Sequence, residues 1–442
     1  MRYDVCVRKS RSNACILGFL LVAVIAFASG LSGVDSSRQP SGAKTLATLS
    51  TNFARLAAQT IRPAQGYIKH DYLIPAGYYP QMWDWDGFFI GAHWANQDPA
   101  DAKYLRDWAI SFASSADASG YVAGCITTHG PRPLFGKFSM KPFLAQGALL
   151  AARRLDDYSW IAAIWPAMQR IAEYRDQTQI DPRWGLYFWD NAMQSGADNN
   201  AALTNDPKDR GAILAVDASV YAMREYQAMG VIAQHLGHPN AAHRYESKAE
   251  SIREALLKNL WSSQDAMFWN RRRDNGQWVM RMSYSNFTPL FAGILPQSDA
   301  RRMIKRHLLN PDEMRSLYGF RSLAKDDPDF NNRAIINPYS NWRGPIWINA
   351  NYLDWIALRR YGFRKQAYWL AVSIAAMLNR DIARWDSMHE DYNSETGDGL
   401  APTPAQSPGG HFAGFVGWNL LAQDMLQCEV EHSHCMMLQV DR

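Results

Sequence analysis

The sequence has few features of a membrane-spanning, nucleic-acid-binding or metal-binding protein. Its longest uninterrupted apolar run is 15 residues, at positions 14–28, whereas a membrane-spanning helix needs about 20. Basic residues number 46 and acidic residues 42, without an arginine-rich tract, so no nucleic-acid partner is expected. The cysteines and histidines show no zinc-binding spacing, so we expect no metal and no cofactor.

The N-terminal residues have the pattern of a signal peptide. Four basic residues lie within positions 2–11, ahead of the apolar run, which ends in the small-x-small sequence Ala26-Phe27-Ala28. This order is typical of a secretory signal. We therefore predict a signal peptide at 1–28, cleavage before Ser29 and a secreted or periplasmic protein that keeps no stable membrane insertion. An uncleaved membrane anchor is the alternative.

Removal of that segment would leave a nearly neutral chain with few cysteines. It would take away four basic residues, one acidic residue and two of the five cysteines. In an exported protein Cys428 and Cys435 are candidates for a disulfide, and Cys125 would then stay free.

Hydrophobic periodicity predicts a chain of helices. Between Asn240 and Trp261, apolar side chains recur every three or four positions and charges fill the other face, which is typical of a helix with one side in water. Residues 143–152 are apolar nearly all round, as in a helix that is buried on every side. Twelve helices are predicted in this way, at about residues 44–60, 84–95, 100–117, 142–155, 159–175, 213–237, 240–261, 285–293, 297–309, 346–361, 364–380 and 413–426.

Twelve helices that alternate between an inner and an outer position describe an all-α (α/α)₆ barrel. The even-numbered predicted helices include the most apolar ones, and several odd-numbered ones carry surface charge. An irregular α-solenoid is the alternative, but no repeat of fixed length supports it. We expect the barrel at 44–427, after a flexible lead at 29–43 that is rich in serine and glycine, and before a C-terminal tail at 428–442.

Five motifs rich in polar and aromatic residues precede or open the even-numbered helices. They are Trp83-Asp84-Trp85-Asp86, Lys141 to Gln146, Gln194 to Asn200 with Asp217, Asn341 to Trp347, and Met388 to Gly399. The N-terminal ends of inner helices meet at one rim of such a barrel, so the motifs predict one active site.

Asp198 and Glu390 are the candidate catalytic residues. An aspartate beside glycine and asparagine, as Asp198 is, more often serves as a turn or cap residue. Glutamate is a poor turn former, and Glu390 lies close to Trp385 and Tyr392. A carboxyl group packed against aromatic rings has a raised pKa, which suits proton transfer near neutral pH. Two carboxyls that face one cleft are the groups that hydrolysis of a glycosidic bond requires.

Other residues of the motifs are candidates for substrate binding. Tryptophan rings stack on the apolar faces of sugars, and the candidates are Trp83, Trp85, Trp189, Trp342, Trp347 and Trp418. At least half of the 17 tryptophans are nevertheless expected in the core. The polar candidates are Asp84, Asp86, Gln146, Asn199, Asp217, Arg343 and Tyr392. Instead of binding substrate, Asp84 and Asp86 could be first-turn acids that the dipole of helix 2 stabilises. Arg343 could instead contact a neighbouring loop.

In this order and at this spacing the motifs resemble glycoside hydrolase family 63 and its trehalase relatives. The resemblance is strongest to members similar to mannosylglycerate and glucosylglycerate hydrolases, and it covers about residues 45–425. It implies an (α/α)₆ barrel and inverting cleavage of a terminal α-linked glucose or mannose, with Asp198 as the acid and Glu390 as the base. It rests on the motifs above together with Ser195-Gly-Ala-Asp-Asn199, Asn351-Tyr352, Thr396-Gly397 and Phe415-Val-Gly-Trp418.

One departure from the family concerns the loop that carries the acid. The family usually has Gly-Met-Asp-Asn-Ser-Pro there, whereas this chain has Gly-Ala-Asp-Asn-Asn-Ala at 196–201. The difference leaves the acid in place and bears on the preferred sugar and leaving group. If the protein is exported, an oligosaccharide or another external glycoside is a better candidate substrate than a cytosolic glycerate glycoside.

Two other classes of function remain open from the sequence. A sugar epimerase or polysaccharide lyase on the same barrel would use a histidine or tyrosine as base, for which His389 is a candidate. A catalytically inactive glycan-binding protein would bind sugar equally well without Asp198.

Overall fold

Long amphipathic helices make up most of the structure, as the periodicity predicts. The computed structural model describes residues 41–133, 137–435 and 438–440, so the predicted signal peptide lies outside the described residues. The helices are α1 (Gly42–Leu56), α2 (Asp84–Gln97), α3 (Ala102–Ser114), α4 (Leu144–Leu155), α5 (Ile161–Thr178), α6 (Ala192–Ser195), α7 (Val216–His235), α8 (Pro239–Asn259), α9 (Thr288–Phe291), α10 (Gln297–Met303), α11 (Ile348–Arg360), α12 (Arg364–Trp385) and α13 (Leu421–Val430).

The inner helices form a closed ring, and other helices pack on its outside. Helices α2, α4, α7, α9, α11 and α13 contact one another in that order, and α13 contacts α2 again. Outside this ring α3 packs on α2 and α4, α8 on α7, and α12 on α11 and α13. Alternating inner and outer helices in a closed ring are the all-α architecture that the sequence predicts, and the closure excludes an open solenoid.

Burial follows the same division between inner and outer helices. On the outer helix α8 only five positions are buried: Ala241, Ala242, Ala249, Ile252 and Leu256. On the inner helix α11 every residue from Ile348 to Leu358 is buried. A helix in the inner ring has neighbours on all sides, which explains why such segments are apolar nearly all round.

The part of the chain that the structure describes also contains twelve short strands of two or three residues, which lie in the connections between helices. They form antiparallel pairs β1–β2, β6–β7 and β9–β10, and the three-stranded sheets β3–β4–β5 and β8–β11–β12. Their bounds are β1 Ile61–Arg62, β2 Tyr72–Leu73, β3 Met82–Trp83, β4 Cys125–Thr127, β5 Gly130–Pro131, β6 Ile180–Asp181, β7 Leu186–Tyr187, β8 Ile213–Leu214, β9 Trp261–Ser262, β10 Met267–Phe268, β11 Asn270–Arg272 and β12 Trp278–Val279.

Two predicted helices differ from the observed ones near the C-terminal half of the chain. The predicted helix at 413–426 begins only at Leu421, because Gly414 and Gly417 have φ angles of 72° and 21° that a right-handed helix does not accommodate. The predicted helix at 285–293 is reduced to α9, which follows a 3₁₀ turn at Tyr284–Phe287.

The predicted C-terminal tail is in part helical and in part packed on the barrel. Helix α13 continues to Val430, and Leu438 and Val440 are buried. A disulfide joins Cys428 to Cys435, and Cys125 is free, as the sequence suggests. Within the described part of the chain, no helix combines the length and apolar character that crossing a bilayer requires.

Candidate active site

A cavity of about 220 Å³ lies where the inner helices begin. This volume is below the roughly 300–1,000 Å³ of pockets for drug-sized ligands, and it suits a ligand of the size of a single sugar ring. Its wall comes from the start of α2, the segments before α4, α11 and α13, and two long connections. The lining residues are Tyr78, Tyr79, Trp83, Asp84, Trp85, Asp86, Gly124, Cys125, Arg132, Phe138, Ser139, Lys141, Met193, Gln194, Gly196, Asp198, Ile336, Asn337, Pro338, Ser340, Trp347, Glu390 and Trp418.

Asp198 lies in the connection between α6 and α7 and is clamped by the segment 340–343. Its Oδ2 accepts hydrogen bonds from the backbone N of Ser340 at 3.1 Å and from Ser340 Oγ at 2.9 Å. The adjacent Asn199 accepts from the backbone N of Trp342 at 2.6 Å, and its carbonyl accepts from Arg343 Nε at 2.9 Å. Four hydrogen bonds therefore fix the position of this carboxyl from a segment about 140 residues away.

The electrostatic surroundings of Asp198 keep it partly protonated near neutral pH. Burial raises the pKa of Asp198 to about 6, and the two hydrogen bonds from Ser340, with the charge of Lys141, act in the opposite direction. The turn itself depends on Gly196, which has a φ of 87°. A pKa in this range suits a group that gives up a proton during catalysis.

Glu390 lies in the connection between α12 and α13 and has one side-chain partner in the cavity wall. Tyr79 Oη donates to its Oε2 at 3.1 Å, and its backbone N donates to the carbonyl of Ala401 at 2.7 Å. Burial raises the pKa of Glu390 well above its usual range, and the charges of Asp391 and Asp86 raise it further. The hydrogen bond from Tyr79 acts in the opposite direction.

The Trp83–Asp86 motif contributes two more carboxyls, in different environments. Asp84 is paired with Lys141, whose Nζ lies 3.1 Å from Oδ1 and whose backbone N donates to Oδ2 at 2.7 Å. Asp86 is two residues further along the first turn of α2, and burial raises its pKa to about 8. Asp86 is therefore largely protonated at neutral pH and is able to donate a hydrogen bond to a ligand.

Stacked and edge-on tryptophans support the wall between these carboxyls. Trp347 and Trp418 line the cavity, and Trp85 lies edge-on to Trp418 with ring centroids 6.0 Å apart. Trp342 stacks on the outer face of Trp347 at 4.0 Å with an angle of 9° between the planes. These rings give the site rigid apolar faces of the kind that bind sugar rings.

Eight of the fifteen residues that the sequence singles out line this one cavity. They are Trp83, Asp84, Trp85, Asp86, Asp198, Trp347, Glu390 and Trp418. The structure thus brings both candidate catalytic carboxyls together with six of the thirteen candidate binding residues.

The other seven do not line the cavity: Gln146, Trp189, Asn199, Asp217, Trp342, Arg343 and Tyr392. Asp217 Oδ1 accepts from Trp189 Nε1 at 3.0 Å, and Tyr392 Oη donates to Asp381 at 2.8 Å.

The amide of Gln146 likewise binds backbone rather than the cavity. Its Nε2 donates to the carbonyl of Pro142 at 2.6 Å. Buried polar groups at a barrel rim need partners, and Gln146, Trp189 and Tyr392 find theirs within the protein. Oδ2 of Asp217 is buried and has no hydrogen-bond partner among the described residues.

Several residues of the site are not singled out in the sequence. Lys141, the partner of Asp84, opens one of the five motifs but is not among the candidate site residues. Tyr79 and Ser340, the hydrogen-bond donors to the two carboxyls, lie outside all five motifs. Tyr79 lies four positions before Trp83, and Ser340 directly precedes the motif that begins at Asn341. Only this nearness to a motif would have pointed to them.

The described residues do not arrange three or more histidine, cysteine, aspartate or glutamate side chains as a metal site. His389, the alternative base, is buried beside Asp381, with Nδ1 3.0 Å from both carboxyl oxygens. It is not among the residues that line the cavity.

The chain belongs to a family of glycoside hydrolases. Residues 79–413 match the family model described as "Mannosylglycerate hydrolase MGH1-like glycoside hydrolase domain". The match contains Asp198 and Glu390, and it confirms the resemblance to family 63 that the motifs indicate.

Curated relatives match parts of the chain. A mannosylglycerate hydrolase of Rubrobacter radiotolerans is 23% identical over 176 residues, which is 40% of this chain and 37% of that protein. The mannosyl-oligosaccharide glucosidase of Saccharomyces cerevisiae is 25% identical over 294 residues, which is 62% of this chain and 32% of that protein. The chain therefore aligns with only about a third of the length of these relatives.

Solved structures confirm the fold. A family 63 mannosylglycerate hydrolase of Thermus thermophilus, solved with Tris and D-glycerate, superimposes with a TM-score of 0.66 at 19% identity, over 85% of this chain and 99% of that one. The neutral trehalase of Saccharomyces cerevisiae superimposes with a TM-score of 0.60 at 15% identity, over 83% of this chain and 75% of that one.

Proposed function

We propose that this chain is an exported inverting α-glycosidase that releases a terminal α-linked glucose or mannose from a small glycoside or oligosaccharide. The observation that carries the proposal is that Asp198 and Glu390 line the same buried cavity. They come from the connections that lead to α7 and α13, which are half the inner ring apart. Carboxyls that approach a small cavity from opposite sides suit attack by water on one face of a sugar and departure of the leaving group on the other.

In the proposed reaction each carboxyl handles one proton. Asp198 donates its proton to the glycosidic oxygen as that bond breaks, and Glu390 takes a proton from the water that attacks the anomeric carbon from the opposite face. The bond from carbon to the leaving oxygen breaks as the bond to the water oxygen forms. The reactive state is therefore one in which the two carboxyls hold a single proton between them, on Asp198.

The neighbours of the two carboxyls favour the proton on Glu390 before substrate binds. Both pKa values are raised by burial, but the charge of Asp391 raises that of Glu390 further, whereas the hydrogen bonds from Ser340 oppose the rise for Asp198. We propose that substrate binding reverses this order. The O–H of the attacking water would bind the ionised form of Glu390, and hydrogen bonds to a charged form favour it.

The size and walls of the cavity support removal of one terminal sugar. Its volume of about 220 Å³ suits one ring, and its tryptophans offer apolar faces for stacking. Asp86, protonated at neutral pH because its pKa is about 8, would donate a hydrogen bond to a sugar hydroxyl.

The substrates of the relatives suggest which compounds to test. Mannosylglycerate and mannosyl-oligosaccharides appear in the names of related enzymes, so α-mannosides, α-glucosides and glycerate glycosides are the first candidates. Proton NMR of the early reaction mixture would test the stereochemistry. An inverting enzyme must release the β-anomer first from an α-glycoside, and a first-formed α-anomer would exclude the single-displacement mechanism.

Export rests on the N-terminal sequence pattern together with the disulfide between Cys428 and Cys435. Disulfides persist in oxidising compartments and are rare in the cytosol. N-terminal sequencing of protein from the native host would test the proposal. A mature chain that begins near Ser29 is expected, whereas a chain that begins at Met1 in the membrane fraction would indicate an uncleaved anchor.

A further inference from the structure

The hydroxyl of Ser340 has a hydrogen-bond direction that its neighbours determine. Trp342 Nε1 lies 3.2 Å from Ser340 Oγ, and an indole N–H only donates. Ser340 Oγ must therefore accept from the indole, and its own proton is left for Asp198 Oδ2 at 2.9 Å. The chain of donors runs in one direction, from Trp342 through Ser340 to the carboxyl.

The same carboxyl oxygen receives a second donor from the backbone. The N–H of Ser340 donates to Asp198 Oδ2 at 3.1 Å, so two donors occupy one oxygen. A proton on Oδ2 would face these donors, whereas Oδ1 accepts no hydrogen bond from any described residue. The neutral form of Asp198 must then carry its proton on Oδ1.

Ser340 and Trp342 are themselves held rigidly. Both are buried. Trp342 stacks on Trp347 at 4.0 Å, and its backbone N donates to Asn199, the residue after the acid. The donors therefore move with the acid loop as one unit, and rotation of the carboxyl about its Cβ–Cγ bond would break both hydrogen bonds to Oδ2.

We propose that Ser340, oriented by Trp342, is a positioning residue that holds Asp198 so that Oδ1 is the oxygen that delivers the proton. Trp342, which the sequence suggests as a sugar-stacking residue, would then act on the acid from behind the wall. The inference rests on the proposed function and deepens it, because it assigns the proton to one atom of the acid.

The test compares Ser340→Ala, which removes the hydroxyl, with Ser340→Thr, which keeps it. Ser111→Ala serves as the matched control, because Ser111 Oγ donates only to its own helix, at the carbonyl of Asp107. For Ser340→Ala we expect kcat to fall about 10-fold with KM within about twofold of wild type, since the serine would act through the acid. The threonine variant should recover most of the rate, and the control should match wild type.

A titration distinguishes positioning from a merely structural role. The hydrogen bond from Ser340 favours the ionised form of Asp198. Its loss in Ser340→Ala should therefore raise the pKa of Asp198 by about one unit. The limb of the pH–rate profile that Asp198 sets should move to higher pH by the same amount. Carbon-13 NMR of labelled aspartate carboxyls measures this pKa directly, with Asp198→Asn used to identify the resonance.

The outcomes separate this inference from the proposed function. A wild-type kcat and an unchanged Asp198 pKa in Ser340→Ala would overturn the inference while glycosidase activity stands. A lower kcat with an unchanged pKa would show a structural role and would also overturn it. If the wild-type chain hydrolyses no glycoside, the proposed function fails, and the NMR titration alone decides whether Ser340 controls this carboxyl.

Discussion

The two sides of the cavity each hold a carboxyl whose pKa is raised by burial, but they surround it with different neighbours. On one side Asp198 receives two donors from Ser340, and its pKa is about 6. On the other side Glu390 receives one donor from Tyr79 and lies near two further carboxyls, and its pKa is raised well above the usual range. Burial makes proton transfer near neutral pH feasible for both groups, and the neighbours decide which group holds the proton first.

The two sides are also held by different contacts. Asp198 depends on a clamp from another segment of the chain, residues 340–343. The Glu390 connection folds back on itself through the carbonyl of Ala401, and Asn419 Nδ2 donates to the carbonyl of His389 at 2.8 Å. It is also held by a more distant segment, because the backbones of Tyr392 and Ile346 exchange hydrogen bonds of 2.8 and 3.1 Å. Both connections therefore depend on segments that are distant in the sequence.

Removal of either carboxyl should have the largest effect on activity. Asp198→Asn and Glu390→Gln should each lower kcat by about 10²–10⁴-fold, which is the typical contribution of a general acid or base. Steady-state kinetics with the best glycoside measures the loss, and circular-dichroism melting checks that the fold is intact. A folded variant with a wild-type rate would remove that residue from the mechanism.

Tyr79→Phe should change the Glu390 side alone. The hydroxyl favours the ionised form of Glu390, so its removal should raise the pKa of that group further. We expect kcat to fall about 10-fold and the limb of the pH–rate profile that Glu390 sets to move to higher pH. Tyr78→Phe is the matched control, because Tyr78 is the adjacent ring, with centroids 4.9 Å apart, and its hydroxyl accepts from Asn337. An equal shift of that limb in both variants would contradict a specific role for Tyr79.

Asp86→Asn should have the smallest effect on the reaction but a measurable one on stability. The pKa of Asp86 is about 8 in the folded chain, against a reference value of 3.8. Between about pH 4 and pH 8 the folded state keeps a proton that the unfolded state releases, so this group makes stability fall as pH rises. Asparagine removes this dependence.

Calorimetry at two pH values tests the prediction for Asp86. The variant should melt about 2–4 °C above wild type at pH 8. It should melt close to wild type at pH 4, where Asp86 is protonated in the folded state and about half protonated in the unfolded state. Its activity should fall, because the hydrogen bond proposed to the sugar is altered. A lower melting temperature than wild type at pH 8 would contradict the assignment of a raised pKa.

Helix positions were well predicted from the sequence, and short strands were not. The helix predicted at 240–261 is observed as Pro239–Asn259, and that predicted at 84–95 as Asp84–Gln97. Strands of two residues, such as Met82–Trp83, are too short to show a period of two. The late start of α13 shows the same limit, because the glycine backbone angles at 414 and 417 are set by packing and not by hydrophobic spacing.

The candidate site was predicted in part, for a physical reason that differs between residues. Trp83 to Asp86 and Trp347 lie in or beside the first turn of inner helices, so a motif there faces the rim directly. Gln146 and Asp217 also lie in such first turns. Their side chains point between helices instead, and periodicity does not distinguish these two directions.

Local sequence was sufficient for the positions of the helices, the alternation of inner and outer members and the presence of two acidic connections before inner helices. These properties depend on the spacing of side chains along one segment, which the order of residues contains. Closure of the ring joins α2 to α13, which lies more than 300 residues later in the chain. The contact of Ser340 with Asp198 joins segments about 140 residues apart. The difference between the two carboxyl pKa values depends on buried neighbours from α2, Tyr79 and the 340–343 segment, and only the tertiary structure brings these charges and donors together.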